Sequence, residues 1–115
     1  MTDRILVLVK SNPLESHRPV EAIRIALGLV SGEHPVVIVL LNQAPLLLSD
    51  DTEDLVDGDI LQKYLPTFKE LDQTFMVEEG SLHAYPLKDS DYKIQPVSLD
   101  GIADLLLQAG RSIIF

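Results

Sequence analysis

Apolar residues run unbroken through ILVLV, Ile5 to Val9, and through PVVIVLL, Pro35 to Leu41. A strand with one wet face alternates apolar with polar residues, so these runs predict strands covered on both faces, as in a parallel sheet between helix layers. Between them the period changes. Pro19 suits the first turn of a helix, and Val20, Ile23, Leu27 and Val30 recur at helical spacing until Gly32 ends the run. Strand, helix and strand in this order predict a right-handed crossover unit. Pro35 stands where a strand begins, a place that tolerates the missing amide.

After Asn42 and Gln43 the apolar APLLL gives way to the acidic SDDTEDLVDGD. Asp50 with Glu53 three residues later predicts a short capped helix. A longer helix is expected from about Ile60, with Leu61, Tyr64, Leu65, Phe68 and Leu71 on one side and Pro66 kinking or restarting it. FMV, Phe75 to Val77, predicts a third strand. YKIQPV, Tyr92 to Val97, predicts a fourth, and Pro96 points to an edge or a strand end. Ser98 is placed to cap a helix over LDGIADLLLQA, Gly110 falls at its C′ position, and the terminal SIIF predicts a fifth strand. Strands alternating with helices predict an α/β fold, a three-layer α/β/α sandwich around a mostly parallel five-stranded sheet, in one domain of 115 residues.

Charge removes one class of partner. Eighteen acids against nine bases give a net charge of −9, which repels a phosphate backbone and argues against nucleic acid. No apolar run approaches the roughly 20 residues of a membrane-crossing helix, and MTDRILVLVK lacks the apolar core and cleavage site of an export signal, so the cytoplasm is the expected compartment. The absence of cysteine excludes disulfides, zinc thiolate sites and thiol nucleophiles. No cofactor or metal is expected. Neither a GxGxxG nor a GxxxxGK[ST] run is present, and a calcium loop aligned on Gly58 would put Leu55 and Tyr64 where oxygen ligands are required. The acidic tract reads instead as a solvated, helix-capping face.

In open α/β sheets ligands settle beyond the carboxyl ends of the strands. Three segments should meet there: Lys10 to His17, Asn42 to Pro45, and Glu78 to Leu82. Ser11, Asn12, Asn42 and Glu78 are therefore the candidate ligand-binding residues. Glu78 with His83 or His17 is the candidate acid/base pair of a hydrolytic enzyme or small-ligand binder. His34, at the amino end of a strand, is expected at the surface away from the site. Ser11 and Ser81 lack the GxSxG elbow of a serine nucleophile, and Ser81 reads as capping a turn. Glu78 and Glu79 are adjacent, so an extended backbone would turn them to opposite sides, with Gly80 free to leave the strand. Leu46, Leu47 and Leu48 lie outside any predicted strand. They would form either an oligomer interface or part of the chain's own core.

The segment EAIRIALGLVSGEHPVVIVLLNQAPLLL is similar to the first helix and second strand of the DsrE/DsrF-like sulfur-relay proteins, a family that includes the TusB, TusC and TusD subunits. KSNP, YLPTFKEL, VEEGSLHAYPL and the terminal IIF also fall where such chains carry similar features. The resemblance implies a small α/β protein that oligomerises and passes sulfur as a persulfide. It also implies that the carrier cysteine of active members would stand just after the third strand, where the nearest residue here is Glu78. A carboxylate cannot accept and release sulfane sulfur, because that exchange needs a thiolate. The expectation is a non-catalytic protein, either a homo-oligomer or an accessory subunit beside cysteine-bearing DsrE-like relatives.

Overall fold

The computed structural model describes residues 4–87 and 90–115; Met1 to Asp3, part of the N-terminal stretch read above, lie outside it. The five strands are β1 (Ile5–Val9), β2 (Val36–Leu40), β3 (Thr74–Glu78), β4 (Lys93–Val97) and β5 (Arg111–Ile114). They form one sheet in the order β4-β3-β2-β1-β5, and every pairing is parallel. The continuous apolar runs thus occupy β1 and β2, two of the three strands that have neighbours on both sides. Pro96 lies on the edge strand β4, as its missing amide requires.

The layers are unequal. Helices α1 (Arg18–Ser31) and α2 (Gly58–Glu70) and a 3-10 turn (Ala44–Leu48) build the larger core with Val7, Val9, Ile38, Leu40, Phe75 and Val77. The other face rests on Leu6, Leu8 and Val39, with Ile102 of α4 (Leu99–Gln108) the only helix residue fully buried there among the described residues. The pleat separates these two sets along β1, odd positions to one face and even positions to the other. The edge strand β4 is tied down by an edge-to-face series from Phe68 through Phe75 to Tyr92, with centroids 5.4 and 6.0 Å apart.

Several local expectations change. Asp50 caps no helix; Asp51 accepts from the Glu53 amide at 3.1 Å in a turn, because its carboxylate is one residue closer to that N–H. Helix α2 starts at Gly58, behind a left-handed Asp57, and runs unbroken through the exposed Pro66. At a solvent-facing position the amide that proline lacks costs little, since water satisfies the freed carbonyl. Leu71 lies past the end of α2 and is exposed. Gly110 takes no left-handed conformation and instead donates its N–H to the Arg4 carbonyl at 2.9 Å, entering β5 directly.

The three leucines after β2 are the larger correction. Leu47 and Leu48 are buried in the main core and Leu46 packs against it half-covered, so they do not form an exposed oligomer patch. The turn that begins at Ala44 folds them back under the acidic tract, against the face that α1 and α2 cover.

Gly58 is where this part of the chain has no room. A Cβ there would lie 2.1 Å from the carbonyl oxygen of Thr52. Gly58→Ala is expected to force the Thr52 turn away from α2 and to cost about 1–3 kcal/mol, read as a lower urea midpoint at unchanged m-value.

Candidate functional site

Strand β3 ends on Glu78, and the chain turns at once into a six-residue helix, α3 (Glu79–Ala84). Glu78 is the N-cap of that helix. Its Oε2 accepts from the Gly80 amide at 2.5 Å, and its Oε1 accepts from the Ser81 amide at 3.1 Å and from the Ser81 hydroxyl at 2.9 Å. The first turn of a helix leaves amides without intrahelical partners, and a carboxylate there satisfies them while meeting the positive end of the peptide dipoles. Gly80 permits the short contact, since a Cβ would stand 3.0 Å from the same Oε2.

The network continues into the second loop. The buried Ser81 hydroxyl accepts from the Asn42 amide at 2.7 Å, and Asn42 itself is left-handed at φ 59°. Asparagine tolerates that conformation better than most residues. Its side-chain Nδ2 donates to the Lys10 carbonyl at 3.2 Å, so loops after β1, β2 and β3 are joined in one chain of hydrogen bonds. Around it lies an open depression of about 420 Å³, lined by Asn42, Gln43, Glu78, Gly80, Ser81, Ala84 and Tyr85.

Of the residues singled out in the sequence, Asn42, Glu78 and Ser81 meet. The others do not. Ser11 gives its amide to the Phe115 carbonyl at 3.3 Å, and Asn12 uses its Oδ1 to close a turn on the Leu14 amide at 3.0 Å. His17 sits exposed at the N-terminus of α1, and neither it nor His83 hydrogen-bonds to Glu78. His83 faces a different hollow, an apolar groove of about 500 Å³ with Leu82, Pro86, Leu87, Ile94 and Pro96. His34 is exposed at the opposite end of the sheet. Among the described residues no His, Asp and Glu cluster into a group able to hold a metal ion.

The Gly80 amide, helped by the Ser81 hydroxyl and amide, holds the Glu78 carboxyl below its ordinary value against a smaller opposing effect of burial. This is the reverse of what a general base near neutrality needs. Two features of the site go beyond what the sequence pattern indicates: the segment after β3 forms the helix α3, and Ser81 does more than cap a turn, since its hydroxyl joins Glu78 to the Asn42 loop. The available signal was an acid followed three residues later by serine, a capping pattern obscured because Glu caps less often than Asp or Ser.

The model of the DsrE/DsrF-like family matches residues 3–115. Among solved structures, the YchN protein of E. coli superposes with a TM-score of 0.77 at 15% identity, covering 99% of this chain and 100% of that one, which is a likeness of fold. No curated protein matches by sequence.

Because the folded Glu78 carboxyl is held low, the capping stabilisation is present above the unfolded-state value and is lost as pH falls through the folded one. Glu78→Gln is therefore expected to be less stable than wild type by about 1 kcal/mol at pH 7, with the gap closing on acidification; paired urea titrations at neutral and acid pH check it. The same seat should lower the pKa of a thiol. In Glu78→Cys, the only sulfhydryl of the chain is expected to alkylate with a midpoint below the free-cysteine value of about 8.5.

Proposed function

Because this chain belongs to the DsrE/DsrF-like family, we propose that it is a non-catalytic member: an oligomer-forming or accessory subunit of a sulfur-relay type assembly, with no persulfide chemistry of its own. The observation that carries this reading is the state of Glu78. The residue at the end of β3 is a carboxylate spent on the amides and hydroxyl of Gly80 and Ser81, and the chain holds no cysteine to replace it. Sulfane sulfur moves by attack of a thiolate on sulfur, and a carboxylate offers neither the nucleophile nor the leaving group.

The rest of the site supports a structural role. Three loops are locked to one another through side-chain to backbone hydrogen bonds, and the depression beside them is open to solvent. The rival reading, a ligand binder or hydrolase with Glu78 as base, needs an imidazole within hydrogen-bond reach, and Glu78 has none. Partners of the cysteine-bearing kind carry sulfur on a free thiolate, which persists in a reducing compartment, so a cytoplasmic setting goes with this function. Among the described residues no helix is long and apolar enough to cross a membrane.

The test uses purified components. The chain is mixed with a cysteine-bearing DsrE-like relative from the same genome and resolved by size-exclusion chromatography with light scattering. A stoichiometric complex is the expected result. Mass spectrometry of the lone chain after exposure to a persulfide donor is expected to show no added sulfur. Turnover of the donor by the chain alone, or indifference to every such relative, would refute the proposal.

A further inference from the structure

Helix α3 divides two hollows. Gly80, Ser81 and Ala84 line the polar depression on one side of it, and Leu82 and His83 line the apolar groove on the other. The groove has a simple origin. A six-residue helix is only about 9 Å long, so the layer that α1 and α2 build stops short of the edge strand. Ile94 and Pro96, two apart on β4, turn to that same face, yet Ile94 is only half-buried and Pro96 is exposed. Pro86 and Leu87, in the loop past α3, complete a hollow of about 500 Å³. That is within the range of small-molecule sites, about 300–1,000 Å³.

We propose that this groove binds a small, uncharged, planar aromatic molecule that bears a single hydrogen-bonding group. The lining selects it. Leu82, Leu87 and Ile94 supply apolar walls, and the rings of Pro86 and Pro96 supply rigid ones, against which a flat ring buries area without freezing a flexible side chain. Among the described residues, His83 is the only lining side chain able to donate or accept a hydrogen bond. Charge points the same way. None of the described lining residues is a lysine or arginine, and Glu79 stands one turn before His83 on α3 in a chain of net charge −9, so an anion would gain no partner and meet repulsion. No carboxylate lines the groove among the described residues either, so a cation would leave water for apolar walls. An added peptide strand is disfavoured on another ground: β4 carries Pro96, and prolines on an edge strand blunt strand addition.

The site is independent of the assembly reading above. Glu78 and its hydrogen bonds belong to the other side of α3. A chain that ignores cysteine-bearing relatives yet binds the aromatic refutes that reading and leaves this one intact, and the converse result refutes this one alone.

The test titrates indole into the full chain and follows backbone amides by NMR. Saturable shifts at Leu82, His83, Leu87 and Ile94 are expected, with a Kd of about 0.1–1 mM for a ligand of this size in an open groove. Indole-3-acetate adds an anionic arm to the same ring and is expected to bind about fivefold more weakly or worse. Pro96→Glu sets a carboxylate against the apolar wall at an exposed position and is expected to weaken indole about tenfold with an unchanged urea midpoint. If that variant unfolds more easily, His83→Ala, also at an exposed position, takes its place with an expected loss of about threefold. Any one of three results overturns the proposal: no saturable shift at the groove up to about 5 mM indole, indole-3-acetate that binds as tightly as indole, or a stably folded variant that binds indole as well as wild type.

Discussion

Parallel strands cannot be joined by tight turns, and this single constraint organises the molecule. Every strand must be followed by a crossover that carries the chain back to the same end of the sheet. All the loops that leave strands therefore gather at one pole, which is why Lys10, Asn42 and Glu78 can share one hydrogen-bonded series although more than thirty residues separate each from the next. The same rule requires cover on both faces. With α1 and α2 assigned to one of them, the crossover from β4 to β5 must travel the width of the sheet, and α4 is left to shield the other face.

At the loop pole, the central residue is a carboxylate whose two oxygens are both engaged by its own helix start. Carboxylates in clefts often become reactive when burial or a neighbouring acid raises their pKa. Glu78 meets the opposite surroundings, two amides and a hydroxyl that favour its ionised form. The arrangement holds α3 in place and ties it to the Asn42 loop through Ser81. Such a site is well built for keeping a surface in one shape and poorly built for exchanging atoms with a substrate.

The sheet was legible in the sequence because its information is local. ILVLV and PVVIVLL declare two buried faces by composition alone, Pro35 and Pro96 can occupy few other places, and Ser98 does cap α4, accepting from the Gly101 amide at 3.0 Å. What was hidden depends on partners distant in the chain. Leu46 to Leu48 look alike in sequence, and only the return of the turn against α1 and α2 decides that Leu47 and Leu48 are covered. The location of the site could be read from the rule about strand ends, but its membership could not. Asn12 and Ser11 satisfy themselves locally, and His83 turns with α3 toward the groove beside β4.

The pairing of β1 with β5 joins the earliest strand to the latest. Phe115 closes this seam: its carbonyl receives the amides of Lys10 and Ser11, and the Arg18 guanidinium lies 5.6 Å over its ring. A ribosome delivers the elements in order, so β1 must wait beside β2 with one flank unpaired, and Leu6 and Leu8 stay wet until α4 emerges. Without β5 and α4, one flank of β1 and the Leu6 and Leu8 face would be left bare, an unpaired apolar edge of the kind that invites association with other chains.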